Sequence, residues 1–333
     1  MNLADLRARL AGLDRLHLAS LPTPLRPLPR LRAALGPETP EIRVKLDEET
    51  GFGLGGNKVR KLEFELAPGR LRGATHLVTT GGPQSNHCRV TAAAAAKLGL
   101  GCVLVINGPE PEAPTGNARL HRIFGARIRT VASRAERTAA LAEVADEIAG
   151  AGGRAVVVPL GASTPHGALG YVQALLELHD QLPAESDRAV HIVVSSSSGG
   201  TLAGLWAGLA LLDRPDLQVS AISADTPALE LRERARALAE GALELLQLPT
   251  EGVEAVGDRV EVFDDQVGEG YGLPTAASEE AAEWMARSEG ILVDRFYTAK
   301  AAAGMIAQLR SGRFPTGDRV VFWHTGGHPA VLA

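Results

Sequence analysis

Short runs rich in β-branched residues alternate along this chain with longer segments of Ala, Leu, Glu and Arg, and that alternation limits its fold more than any other feature. The runs are IRVKL at 42–46, HLVT at 76–79, CVLVI at 102–106, ARIRTV at 126–131, AVVVP at 155–159, HIVVS at 191–195, QVSAIS at 218–223 and RVVFW at 319–323. Helical candidates fall at 58–66, 86–98, 134–150, 167–181, 201–212, 227–247, 276–288 and 298–311. This pattern predicts an α/β fold of parallel sheet covered by helices on both faces. Ligands in open α/β sheets bind beyond the carboxyl ends of the strands. Three loops there are rich in glycine or hydroxyls: 79–86, 195–201 and 324–327. No repeat or low-complexity linker appears, and Arg214-Pro215-Asp216 and Leu248-Pro249-Thr250 read as turns.

Several function classes are excluded early. A net charge of −5, with no basic cluster and no stacking aromatics, offers neither a nucleic-acid groove nor a partner for an anionic membrane. Two cysteines, Cys88 and Cys102, make neither a disulfide framework nor a metal quartet, and suit a reducing cytosol. The N-terminal MNLADLRARLAGLDRL is amphipathic and charged, unlike a signal peptide. Residues 189–212 carry no Asp, Glu, Lys or Arg and are long enough to span a bilayer, but the Ser195-to-Thr201 run splits them into a buried strand and a separate helix.

The chain has five lysines against twenty-nine arginines, and three of the five lie in GGNKVRK at 55–61 and YTAK at 297–300. A desolvated lysine can lose its proton and attack a carbonyl; an arginine cannot. Lys58 and Lys61 are therefore candidate nucleophiles, although a lysine is usually a surface charge. The preceding Gly51-Phe52-Gly53-Leu54-Gly55-Gly56 satisfies G-x-G-x-x-G, but a dinucleotide site needs an acidic residue about 20 positions on. None occurs between Leu66 and Pro109, and no Gly-Lys-Ser or Gly-Lys-Thr marks a triphosphate site. The Ser195-to-Thr201 run suits one compact phosphate, because a glycine-rich turn opening a helix directs N–H groups and the positive helix end at an anion. In Gly81-Gly82-Pro83-Gln84-Ser85-Asn86-His87, Ser85 or Asn86 would serve as a helix cap. Gln84, Ser85, Asn86 and His87 together exceed what a cap requires and read as substrate or cofactor contacts.

GGNKVRKLE at 55–63, GGxQSN at 81–86, the serine/glycine loop at 195–201, YGLP at 271–274, DxxYxxK at 294–300 and HTGG at 324–327 resemble, in order and spacing, the 1-aminocyclopropane-1-carboxylate deaminase and D-cysteine desulfhydrase family. The likeness spans essentially the whole chain. It implies a pyridoxal 5'-phosphate enzyme of the tryptophan synthase β-like architecture (fold type II), cytoplasmic and homodimeric, acting on a small amino acid. It implies that Lys58 carries the cofactor, Asn86 binds the pyridine hydroxyl, Ser197, Ser198, Gly199, Gly200 and Thr201 hold the phosphate, and Asn57 and Thr298 complete the cofactor contacts. Ser85 corresponds to the serine beside the substrate carboxylate and α-carbon, and Tyr271 and Tyr297 to two active-site tyrosines. Substrate contacts extend to Gln84, Asn86, His87, Thr325 and Gly326, with no metal. The third tyrosine, Tyr171, follows a G-x-x-G-Y turn at 167–171, and site use is expected of it too. The resemblance further implies a small domain, 61–168, inserted into a large one, 1–60 plus 169–333, with the site in the cleft.

Within the family, ring-opening deaminases resemble one another in having Glu and Leu where this chain has Thr298 and Thr325. A carboxylate at the ring nitrogen keeps the pyridine protonated for carbon–carbon cleavage; threonine suffices for β-elimination of a thiol with a reference pKa near ~8.5. The implied activity is conversion of D-cysteine to pyruvate, hydrogen sulfide and ammonia: the substrate displaces Lys58, the freed lysine removes the α-proton, and Tyr271 or Tyr297 acts as general acid at sulfur. Arg295, Ala299 and His328 depart from the family pattern, and Arg295 and His328 would add positive charge to the pocket. The alternatives are the deaminase, a cysteate sulfo-lyase, another D-amino-acid ammonia-lyase, and a non-catalytic binding protein, which retention of Lys58, Ser85 and both tyrosines disfavours.

Overall fold

The computed structural model describes residues 2–109, 111–183 and 188–333. Ten strands occur among these residues: β1 (Leu25–Pro27), β2 (Glu41–Leu46), β3 (His76–Gly81), β4 (Gly101–Asn107), β5 (Arg127–Val131), β6 (Ala155–Val157), β7 (Val190–Ser196), β8 (Leu217–Ser223), β9 (Val260–Phe263) and β10 (Arg319–His324). They form a six-stranded sheet, ordered β1-β2-β10-β7-β8-β9, and a four-stranded sheet, ordered β5-β4-β3-β6. All pairings are parallel except β1 with β2, so the expectation of parallel sheet holds save at this edge.

The central strands of both sheets, β3 and β4 in one and β7, β8 and β10 in the other, are buried on two faces, which explains why they read as apolar runs rather than alternating ones. In the larger sheet Ile192, Val194, Val219, Ala221, Val321 and Trp323 join one core with the helices Pro165–Gln181, Gly200–Leu211 and Ala228–Leu245. Their neighbours Val193, Ile222, Val320 and Phe322 point the other way, against Ala276–Glu289 and Thr298–Arg310. In the smaller sheet Leu77, Cys102 and Leu104 pack on Asn86–Leu98, while Val78, Val103 and Val105 pack on Arg137–Gly150. Residues 189–212 form β7 and a separate helix, and among the described residues no helix is long and apolar enough to cross a membrane.

The helix Asn57–Glu65 is buried on nearly every side. A charged network anchors it: Arg60 donates to Asp47 Oδ1 at 2.9 and 3.0 Å and to Glu177 at 2.9 and 3.0 Å, Trp323 Nε1 donates to Asp47 Oδ2 at 2.8 Å, and the Tyr171 hydroxyl donates to the same oxygen. This corrects the expectation for Tyr171. It is fully buried core, off the cavity, and its G-x-x-G-Y segment lies inside the helix Pro165–Gln181. Gly170 serves helix packing there, since a Cβ would overlap the carbonyl of Arg60.

Candidate active site

A cavity opens where carboxyl ends of strands from both sheets converge: residues after β3, β5, β6, β7, β8 and β10 line it together with Asn57 and Lys58. Lys58 reaches this cavity because two glycines let its loop approach neighbouring backbone. Gly55 (φ 66) lies where a Cβ would overlap the carbonyl of Glu48, and a Cβ on Gly56 (φ 106) would come 3.0 Å from the carbonyl of Thr325, which accepts from Asn57 N at 2.9 Å. Buried Arg89 donates to the Gly55 carbonyl at 2.7 Å and fixes the turn. Burial alone lowers the Lys58 amine to about 8. Lys61, the rival nucleophile, points elsewhere: it is fully buried, off the cavity lining, and donates to Ser163 Oγ at 2.9 Å.

Beyond β7 the backbone turns through Gly199 (φ 88) into Gly200–Leu211, a helix whose start has no side-chain cap. Ser195 Oγ and Ser196 Oγ are buried there without a partner. Ser197 Oγ donates to Asp225 Oδ1 at 2.7 Å, Ser198 Oγ accepts from Ser163 Oγ at 2.7 Å, and Thr201 Oγ1 accepts from Asn57 Nδ2 at 3.0 Å. A Cβ on Gly200 would lie 2.6 Å from Lys61 Nζ, so a buried amine stands directly behind the loop. Burial, and then the charge of Lys58, push the Lys61 pKa well down; an anion at the loop would restore its charge. Orphaned hydroxyls, an open helix start and a buried lysine in ion pair with no carboxylate among the described residues fit the phosphate of pyridoxal phosphate.

Across the cavity, Ser85 caps Asn86–Leu98 by accepting from Cys88 N at 3.2 Å and also lines the cavity, so the capping side chain is placed where a ligand could reach it. Asn86 Oδ1 accepts from Asn117 Nδ2 at 2.8 Å, leaving the Asn86 amide N–H groups for an acceptor such as a pyridine hydroxyl. Gln84 is corrected: it is off the lining, with Oε1 accepting from Asn117 N at 2.8 Å and Nε2 donating to Thr115 O. His87 lines the cavity, donating through Nε2 to Thr79 Oγ1, whose own proton goes to Val158 O. Burial, with Lys58 and Lys61 nearby, keeps this imidazole neutral.

Tyr271 and Tyr297 meet with their hydroxyls 2.5 Å apart. Burial raises the first to about 12 and the second well above its usual value, so both hold their protons at neutral pH. Lys300, the third motif lysine, shapes the Tyr271 loop by donating to the carbonyls of Val267 and Gly270 at 2.7 and 2.9 Å. Thr325 lines the cavity, but Thr298 does not. The Thr298 hydroxyl accepts from Asp294 N and donates to Asp294 Oδ2, both at 2.7 Å, which commits its proton to that carboxylate. Gly326 is off the lining too; it is glycine because a Cβ would come 2.7 Å from Gly56 Cα.

Arg295 and His328 are exposed and off the cavity, so the expected positive charge does not come from them. It comes from Arg134 and Arg137, just beyond β5, which the sequence reading enclosed in a helix. The carboxyl-end rule applied to β5 would have found them, as applied to β8 it would have found Asp225.

The comparisons agree with this chemistry. The D-cysteine desulfhydrases of Salmonella choleraesuis (strain SC-B67) and Salmonella enteritidis PT4 (strain P125109) are each 39% identical over 329 residues, 97% of this chain and 97% of theirs. The crystal structure of an ACC deaminase homologue superposes with a TM-score of 0.88 at 34% identity, covering 100% of this chain and 97% of that one. Threonine deaminase isoform 2 from Solanum lycopersicum, at 15% identity and TM-score 0.67 over 98% of this chain and 85% of its own, shares the fold alone. That fold is the tryptophan synthase β-like type II architecture. The model of the family described as pyridoxal-phosphate dependent enzyme matches residues 16–326, and with an amine at about 8 beside an anion cradle to receive the cofactor, the chain belongs to that family.

Proposed function

We propose that the protein catalyses β-elimination of D-cysteine to pyruvate, hydrogen sulfide and ammonia. The observation that carries this choice over ring opening is that no carboxylate among the described residues stands free for the ring nitrogen: Asp225, which lines the cavity, accepts from Ser197 Oγ at 2.7 Å and pairs with Arg134 at 3.1 Å. Thr325 occupies the cavity wall, and the oxygens of the nearby Asp294 already accept from Phe296 N, Tyr297 N and Thr298 Oγ1. Bound pyridoxal phosphate supplies an aldehyde for Lys58 and a conjugated ring that takes up electron density from the substrate α-carbon. The chain's own groups do the rest. The Lys58 amine, kept near 8 by burial, takes the α-proton. Ser85, at a helix N-terminus, holds the substrate carboxylate near that amine. The hydrogen-bonded pair Tyr271 and Tyr297 holds a proton for the departing sulfur. Ser195 to Thr201, with Lys61 behind them, hold the phosphate, and Asn86 orients the pyridine hydroxyl.

The smaller sheet, drawn from residues 76–157 alone, supports a small domain inserted into a large one, the proposed bounds 61–168 and 1–60 plus 169–333 falling inside the helices Asn57–Glu65 and Pro165–Gln181. Family kinship supports a homodimer, and two free buried cysteines suit the cytoplasm. The reading is tested with D-cysteine, L-cysteine, cysteate, D-serine and aminocyclopropane carboxylate, measuring sulfide, sulfite, pyruvate and 2-oxobutyrate. Sulfide and pyruvate from D-cysteine should dominate; robust 2-oxobutyrate from the cyclopropane would refute it.

A further inference from the structure

Two guanidiniums in the cavity wall have no part in the chemistry above. Arg134 and Arg137 stand between β5 and the body of the helix Arg137–Gly150, and both line the cavity with Ser85, Tyr271 and Tyr297. Their surroundings differ. Arg134 lies 3.1 Å from the carboxylate of Asp225, with its guanidinium 4.8 Å from the centre of the Tyr271 ring. Arg137 donates through Nη2 to the neutral Asn107 Oδ1, its Nε is buried without a partner, and no carboxylate among the described residues pairs with it. Burial and then the adjacent Arg134 both oppose its charge. A half-buried cation next to a second cation is costly unless an anion is brought to it.

We propose that Arg137, assisted by Arg134, forms an anion subsite for the β-substituent of the substrate, taking the charge of a departing thiolate or of a sulfonate in the same place. The proposal rests on the β-elimination reading. The cofactor phosphate has its own cradle at 195–201 with Lys61 behind it, and the α-carboxylate has Ser85 at a helix start. The β-substituent is the anionic group left over, and the tyrosine pair that carries its proton shares the wall with Arg137. In the elimination the α-proton passes to the Lys58 amine, a double bond forms between the α- and β-carbons, and the carbon–sulfur bond breaks with its electron pair on sulfur. The sulfur leaves as hydrosulfide, or as sulfite from a sulfonate, and Arg137 meets that charge as it forms.

The test titrates the holoenzyme calorimetrically with 3-sulfopropanoate, which carries both anionic groups of cysteate and no amine, and with propanoate, which carries the carboxylate alone. Arg137→Gln should weaken 3-sulfopropanoate about 10- to 100-fold, as expected for losing a charge-assisted hydrogen bond, and propanoate less than about threefold. Equal losses for both probes, or none, would overturn the proposal. In turnover, kcat/KM for D-cysteine should fall by a similar factor, while β-chloro-D-alanine, whose chloride leaves unaided, should fall less than about threefold. Should Arg137→Gln not fold, Arg137→Lys is read by the same ratio of probes, since it keeps the charge and loses the planar fork. A wild-type protein that eliminates from no amino acid would refute the function reading, yet the calorimetric ratio would still decide the subsite.

Discussion

Gly199 and Gly200 sit side by side in the phosphate cradle, yet they are glycine for different reasons, and substitution separates them. Gly200 has no positive φ; its limit is space, because a Cβ would lie 2.6 Å from Lys61 Nζ, 2.7 Å from Ser163 Oγ and 2.8 Å from Ser163 Cα. Restoring ordinary contact at 3.4 Å requires shifts of 0.6 to 0.8 Å at the start of the helix. Halving the strength of two charge-assisted hydrogen bonds to the phosphate, each worth roughly 1.5–3 kcal/mol, removes about 1.5–3 kcal/mol. Gly200→Ala should therefore weaken cofactor affinity about 10- to 150-fold. Gly199 has φ 88 but no neighbour closer than 3.6 Å to a Cβ, so Gly199→Asn is limited by backbone strain of roughly 1–2 kcal/mol, borne by folding rather than by cofactor binding. Its cofactor affinity should stay within about threefold of the parent's. The assay is absorbance titration of each apo-protein with pyridoxal phosphate. A Gly200→Ala protein with parental affinity, or a Gly199→Asn protein weaker than it, would refute the reasoning.

Three further outcomes follow from the geometry. Because burial lowers Lys58 to about 8, its amine is mostly protonated below that pH; cofactor uptake by the apo-protein should rise about tenfold per pH unit up to about 8 and then level off, and a rate still climbing at pH 10 would indicate an ordinary lysine. Ser85→Ala loses both the cap and the hydroxyl, whereas Ser85→Gly loses the hydroxyl at a cost to the cap of only a few tenths of a kcal/mol, so thermal melts should separate the two while both keep cofactor and lose turnover; an active Ser85→Gly would leave the hydroxyl a cap alone. Arg60→Ala strands Asp47 and Glu177 without their guanidinium and should cost about 3–5 kcal/mol in denaturant unfolding, and a loss under about 1 kcal/mol would show that the network contributes little.

The local signals were strong wherever an element is buried on both faces. HIVVS and RVVFW are continuous apolar runs because β7 and β10 are central strands, and the sequence placed both within one residue of their observed ends. The edge strands of the larger sheet carry little such signal: Leu25–Pro27 ends in proline and owes its place to pairing with β2, and Val260–Phe263 covers the opposite edge. The short helices Pro29–Leu35, Gly116–Ile123 and Glu251–Ala255 were likewise missed, being only 7, 8 and 5 residues long. A segment that short presents too few turns for helical periodicity to stand out.

By itself, the sequence determined the α/β class, argued against a dinucleotide site, singled out Lys58 behind its glycines as a candidate nucleophile, and marked the 195–201 loop as suited to one compact phosphate. Those properties are local, set by residue type and spacing within one strand–loop–helix unit. Tertiary structure decided between neighbours that look alike in one dimension. Lys58 lines the cavity while Lys61, one turn further along the same buried helix, is held behind the cradle by Ser163, and Thr325 lies at the wall while the Thr298 hydroxyl is committed to Asp294. It also brought Arg134, Arg137 and Asp225 to the site across two sheets and made Tyr171 a core residue. Burial and charge compensation depend on which segments meet, and spacing along the chain does not record that.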